Sequence, residues 1–200
     1  MRPLKEPGNL ILRLLIIILF VFILPVSAQQ IEKVPVQLKI KDLQGRELSP
    51  FEPDGARASV FIFLMKDCPI SNRYAPEIMR IAREYQTKRI RFYLVYVDDV
   101  RGLEKHLQEY GLADLPAIFD DQRLLVKATG VQTAPESAVI GDKGEIFYRG
   151  RIDNLFAAMG KPRRQVTEHD LRDALDAIID GRPIRTPRTT AIGCFISMEN

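Results

Sequence analysis

Cysteine and histidine each occur only twice in the 200 residues, and the excess of charge is small. His106 and His169 have no second ligand at metal-binding spacing, so neither a metal nor another cofactor is expected, and both fall on polar helix positions where exposed, inert side chains are expected. Cys68 and Cys194 allow a single intramolecular pairing. Removing residues 1–28 takes away Arg2, Lys5, Arg13 and Glu6, and the formal net charge falls from +3 to +1. A nearly neutral chain gives no electrostatic case for nucleic acid or an acidic partner. Internal repeats and low-complexity segments are absent as well.

What is present begins with a leader. Arg2, Lys5 and Arg13 surround the start of an unbroken apolar run from Leu14 to Leu24, and Val26-Ser27-Ala28 before Gln29 has the small-residue pattern of a cleavage site. Residues 1–28 are therefore expected to be a signal peptide that exports the chain to the bacterial periplasm or another extracytoplasmic space. The run is short for a membrane span of ~20 residues; left uncleaved, it would anchor the chain through residues 10–26, the one membrane association expected. Residues 29–182 read as one domain and 183–200 as a tail carrying Cys194. Both cysteines follow the leader, in a compartment where a disulfide can form and persist.

Alternation over Val36 to Ile40 and a Gln44-Gly45 turn suggest an introductory hairpin. Ala58 to Met65 is apolar without alternation, as in a central strand covered on both faces. It leads to Cys68-Pro69, where apolar spacing at Tyr74, Ile78, Ile81, Ala82 and Tyr85 predicts a helix to about Thr87, with Pro76 inside it. A thiol at a helix start feels unpaired backbone N–H groups and the positive end of the dipole, both of which favour thiolate. Ile90 to Val97 is a second buried strand, followed by a helix over about 101–110, a short strand at 115–119 and a short helix at 124–129. Thr133 to Ile140 and Glu145 to Arg149 read as an antiparallel hairpin beyond a proline loop. Gly150 to Gln165 looks irregular. Thr167 is the expected N-cap of a last helix ending at Gly181, with Asp170 at the capping-box position. Pro183 and Pro187 keep the tail extended.

This order, with Cys-Pro-Ile-Ser-Asn-Arg-Tyr-Ala-Pro-Glu at 68–77 and Gly-Val-Gln-Thr-Ala-Pro at 130–135, resembles the thioredoxin fold over about residues 34–181. It is similar to exported redoxins of two kinds: the peroxiredoxin-like alkyl hydroperoxide reductase and thiol-specific antioxidant kind, and the TlpA-like thiol-disulfide oxidoreductases. The fold class implied is α/β, with a mixed central sheet flanked by helices, an N-terminal β-hairpin and a C-terminal extended tail. By the resemblance Pro135 is a cis-proline facing the active-site sulfur, and Ala134 offers backbone groups to a bound thiol or peptide.

The chain departs from those relatives in two places. A dithiol oxidoreductase has a second cysteine three residues on, where this chain has Ser71; a peroxiredoxin has threonine three residues before its cysteine, where this chain has Met65. Cys194 is the candidate to supply what is missing, as a resolving thiol for a Cys68 nucleophile. Substrates would then be protein disulfides or hydroperoxides, with a thiol reductant as partner. The alternative is a redox-silent binding module in which a Cys68–Cys194 disulfide only pins the tail. Arg149 and Arg151 are candidates to tune the thiolate, although solvated surface arginines fit the same positions. Glu136, beside the proline loop, is a candidate for substrate contact but reads more readily as a loop charge; Tyr74 and Phe92 read as core, and Asp67 against Lys66 and Arg73 as opposing influences on the thiol.

Overall fold

The computed structural model describes residues 32–48 and 55–198; the expected signal peptide at 1–28 and the chain break at Pro50 and Pro53 lie outside them. Among the described residues no helix is long and apolar enough to cross a membrane. Ile40–Lys41 (β1) and Glu47–Leu48 (β2) form the introductory hairpin, its turn held by Asp42, whose carboxylate accepts from the Gln44 and Arg46 amides at 3.0 and 2.9 Å. The ladder is shorter than the alternation over 36–40 suggests because Pro35 opens a turn closed by Leu38 N–H on the Pro35 carbonyl at 3.1 Å.

Ala58–Leu64 (β3) is buried along its whole length, and its side chains alternate between two apolar cores. Val60, Ile62 and Leu64 meet Pro69–Gln86 (α1), while Phe61 and Phe63 point to the opposite face. A continuous apolar strand is what burial on both faces requires. Ile90–Tyr96 (β4) runs parallel to β3; Leu103–Glu109 (α2) then leads to Ala117–Phe119 (β5), parallel to β4. Leu124–Thr129 (α3) precedes Thr133–Ala134 (β6), Glu136–Ile140 (β7) and Ile146–Gly150 (β8). β7 is antiparallel to both β3 and β8, which gives a mixed five-stranded sheet of order β5-β4-β3-β7-β8. Asp170–Ile179 (α4) contributes Leu171, Ala174 and Leu175 to the core that contains α1, and α3 contributes Leu125 and Val126 to the other.

Three local expectations need correction. The segment expected to be irregular contains a small antiparallel pair, Phe156–Ala158 (β9) with Lys161–Pro162 (β10). Thr167 does not cap α4: His169 takes the N-cap position without a side-chain bond, while Thr167 exchanges hydrogen bonds with Asn154 at 2.8 and 2.9 Å. His106 is not exposed but 9% accessible, set edge-on to Tyr96 and against Tyr110. Burial in this aromatic surround lowers its pKa from the ordinary value.

Candidate active site

β3 ends at Leu64, and the chain turns through Cys68 N–H on the Met65 carbonyl at 3.1 Å into α1. Cys68 is the N-cap in an extended conformation, and Pro69 follows at the helix start. Proline suits that position because its missing N–H would have no intrahelical partner, and its φ is already helical. The Cys68 sulfur therefore lies at the end of α1 where free amides and the dipole favour negative charge, and no acidic residue occupies the first turn to oppose them. Beside it, Lys66 Nζ donates to Asp67 at 2.8 Å, and this bond raises the lysine pKa. The two charges compensate one another locally.

Ser71 is buried, its hydroxyl accepting the Met65 N–H at 3.4 Å, and Asn72 Nδ2 donates to the Lys66 carbonyl at 2.9 Å. These two side chains hold the loop that carries Cys68.

Facing α1 is the loop between β6 and β7. The Ala134–Pro135 peptide is cis, and the Ala134 carbonyl oxygen lies 3.4 Å from Cys68 Sγ. Glu136 is no loop charge: it is 7% exposed, and its carboxylate accepts from the Gln132 amide, the Thr133 amide and the Thr133 hydroxyl at 3.0, 3.2 and 3.3 Å. It braces the backbone that presents Ala134.

The tail completes the site. It is tied along β8 by Arg149 N–H on the Pro187 carbonyl at 3.0 Å and Thr189 N–H on the Arg149 carbonyl at 3.1 Å. Thr189 Oγ1 accepts from the Arg151 amide at 3.1 Å and pairs with the Tyr148 hydroxyl at 2.7 Å; that hydroxyl also donates to the Arg151 carbonyl at 2.6 Å. Gly150 sits opposite Thr189, where a Cβ would collide with threonine backbone. Beyond this anchor, Cys194–Phe195 (β11) pairs antiparallel with β6, Cys194 opposite Ala134 and Phe195 opposite Thr133. Ile196 N–H extends the ladder to the Gln132 carbonyl at 2.9 Å.

That pairing joins Cys194 to Cys68 in a disulfide with a Cα–Cα distance of 6.3 Å across 126 residues of sequence. Cys68 is 1% exposed, whereas Cys194 remains partly accessible. Thus Cys68, Cys194, Ala134 and Pro135 come together. The polar contacts of Arg149 and Arg151 lead elsewhere. Arg149 Nη1 donates to the Thr129 carbonyl at 2.8 Å and reaches Glu32 at 3.5 Å; Arg151 donates to Asp170 at 2.7 Å and pairs with Glu168. Tyr74 is buried as expected, but its hydroxyl donates to Asp153 Oδ1 at 2.6 Å. Burial together with that carboxylate pushes its pKa up.

Gly193 and Ile196 carry no obvious chemical signal in the sequence, yet they shape how the tail docks. The period-two placement of Ile192, Cys194 and Ile196 was the available clue to a strand with one face inward.

A model of the AhpC/TSA family matches residues 31–149. No curated protein matches the chain. Among solved structures, an uncharacterized conserved protein from Geobacillus kaustophilus is similar at TM-score 0.71 and 22% identity, covering 84% of this chain and 90% of that one. A hypothetical protein from Sinorhizobium meliloti 1021 has TM-score 0.68 and 20% identity, with coverage of 83% and 93%. A secreted Mycobacterium tuberculosis disulfide oxidoreductase has TM-score 0.52 and 16% identity, covering 71% of this chain and 96% of its own. These likenesses are of fold, and the fold is thioredoxin-like.

Proposed function

The chain belongs to the AhpC/TSA family, and from that premise we propose that it is an extracytoplasmic thiol-disulfide oxidoreductase with Cys68 as nucleophile and Cys194 as resolving thiol. One observation carries the reading. An extended segment puts its cysteine on Cys68 while pairing with the residue before the cis-proline, an arrangement equivalent to a mixed disulfide between Cys68 and a polypeptide.

In the reduced chain the Cys68 thiolate attacks one sulfur of a client disulfide, forming a Cys68–client bond and expelling the other client sulfur as a thiolate that takes a proton. The Cys194 thiolate then attacks Cys68 Sγ, releasing the client's second cysteine and forming the Cys68–Cys194 disulfide. The client gains two electrons and two protons, and the chain loses them. A dithiol reductant restores the chain: one thiolate attacks the sulfur of Cys194, the more accessible residue of the pair, and expels Cys68 as a thiolate at the α1 N-terminus, and the donor's second thiol then frees Cys194.

A hydroperoxide would instead convert Cys68 to a sulfenic acid for Cys194 to condense with, releasing water. Met65 at the expected threonine position and the outward bonding of Arg149 and Arg151 favour the disulfide substrate.

The redox-silent binding module has its own support in the tail's non-covalent anchorage and in the burial of Cys68. Closing a loop of 126 residues is worth about 5 kcal/mol in the chain-entropy model. Redox titration of the exported chain with thiol counting separates the two readings. An exchanging disulfide reduces reversibly at a potential above about −300 mV, and a staple resists to lower values. Cys68→Ser is expected to abolish trapping of disulfide substrates. Peroxide consumption faster than disulfide exchange would move the assignment to a thiol peroxidase, and survival of either activity in Cys68→Ser would refute the role of Cys68.

A further inference from the structure

The docked tail records in its own residues what the groove beside Cys68 accepts. In the β11–β6 ladder, Cys194 and Ile196 point inward and Phe195 points out: Ile196 is 2% exposed, in the core that contains Phe63, Val131 and Ala134, and Phe195 is 72% exposed. Gly193 approaches the Ala134 carbonyl and the start of Pro135 so closely that an added Cβ would strike backbone, not a movable side chain. The position before the cysteine therefore admits only hydrogen, the position after it is open to solvent, and the second position after it fills an apolar site. Among the described residues β6 pairs with β11 alone, so its edge becomes available to another strand whenever β11 leaves.

We propose that, with the tail released, this groove takes an extended client peptide bearing the tail's own pattern: glycine immediately before the exchanging cysteine and an aliphatic residue two positions after it. The proposal rests on the reading of Cys68 as an exchanging nucleophile, and it adds the sequence class of the client. The strand is recognised through backbone hydrogen bonds to residues 132–134, and its side chains are selected immediately before the cysteine and two positions after it. Tail and client compete for one edge, so the client is expelled by the same segment that brings Cys194 to resolve it.

The test uses the full chain carrying Cys194→Ser, and a second variant with Ile196→Asp added to loosen the tail. Each is mixed with the octapeptide Thr-Ala-Ile-Gly-Cys-Phe-Ile-Ser whose cysteine is activated as a 2-thiopyridyl disulfide. The Cys68 thiolate attacks the peptide sulfur, the protein–peptide disulfide forms, and pyridine-2-thione leaves and is read by absorbance. Peptides with glycine changed to alanine, or the final isoleucine changed to serine, are expected to react about tenfold more slowly or worse. The peptide with phenylalanine changed to alanine should react within about twofold of the parent, as expected for an exposed rim contact. The retained tail slows all peptides alike, so their order is readable in either variant. Equal rates for all four peptides, alongside prompt reaction with the small reagent 2,2′-dithiodipyridine, would overturn the proposal and leave the exchange reading intact. No reaction of Cys68 even with the small reagent would overturn the exchange reading itself.

Discussion

Truncating Ile196 to alanine tests whether the tail leaves on reduction. The side chain is 2% exposed and packs into the core on the tail side of the sheet. Removing buried methylenes of this kind costs about 2–5 kcal/mol, and a value of about 3 lies within that range. In the oxidised protein the disulfide keeps residue 196 in its site, so the full cost falls on that form. After reduction, the segment beyond Thr189 is held by the short β11–β6 ladder, the Ile196 contact and Arg123 Nε on the Ser197 carbonyl at 3.1 Å. A tail that undocks at this point makes none of the lost contacts, so truncation costs the reduced form nothing. The difference appears in the reduction potential. At ~30 mV for each ~1.4 kcal/mol in a two-electron couple, Ile196→Ala should raise the midpoint by about 60 mV. Wild type and variant are equilibrated in graded thiol buffers, quenched with acid, alkylated and counted for thiols by mass. Midpoints that agree within about 10 mV would mean that the tail stays docked in both forms, which refutes undocking.

Glu136→Ala removes the acceptor for three donors in the loop that presents Ala134 and is expected to destabilise the fold by about 2 kcal/mol or more in urea unfolding, with Glu136→Gln retaining much of that. Thr189→Val keeps the shape of the tail anchor but leaves the Arg151 amide without its acceptor, at an expected cost of about 1–2 kcal/mol by the same measurement. His106 gives a pH dependence of definite sign. Burial holds its folded pKa below the ordinary 6.5 against the opposing pull of Asp98, Glu109 and Asp67, so the unfolded chain binds the proton first as pH falls. Its contribution is complete above pH 6.5 and is lost as the pH drops from there toward the folded value. Unfolding curves at several pH values should show a steeper acid-side loss in wild type than in His106→Phe, and parallel losses would refute the assignment.

Elements whose identity is decided locally were legible in the sequence. β3 and α1 are examples: an apolar run with no polar interruption, then Pro69 and a clean helical spacing of apolar side chains, give their burial and limits almost to the residue. Pro76 was also readable inside α1, because the apolar stripe continues past it and tertiary packing outweighs one missing backbone bond. β9 and β10 were not legible, since strands of three and two residues show no period. His106 was misread for a related reason. Its neighbours on α2 mark the position as polar, and what buries it is Tyr96 from the preceding strand and Tyr110 just beyond the helix. Glu136 was misjudged because two of the three donors that justify burying its carboxylate belong to the backbone of Gln132 and Thr133, and backbone donors leave no mark in the side-chain pattern.

The site divides along the same line. The placement of Cys68 at a helix start follows from adjacent residues, and the cis-proline loop follows from a local motif, whereas the route by which Cys194 reaches them depends on contacts spread over the tail. Pro187 and Thr189 fix its path along β8, Gly193 permits the approach to Ala134, and Ile196 sets the register that turns Cys194 inward. A slip of one residue in this ladder would place Phe195 against Ala134 and turn the thiol to solvent. The position of the second cysteine in the sequence is therefore a weak guide to its role, and the residues on either side of it are a strong one: they decide whether its sulfur meets Cys68 at all, and a client would have to satisfy the same two constraints to take its place.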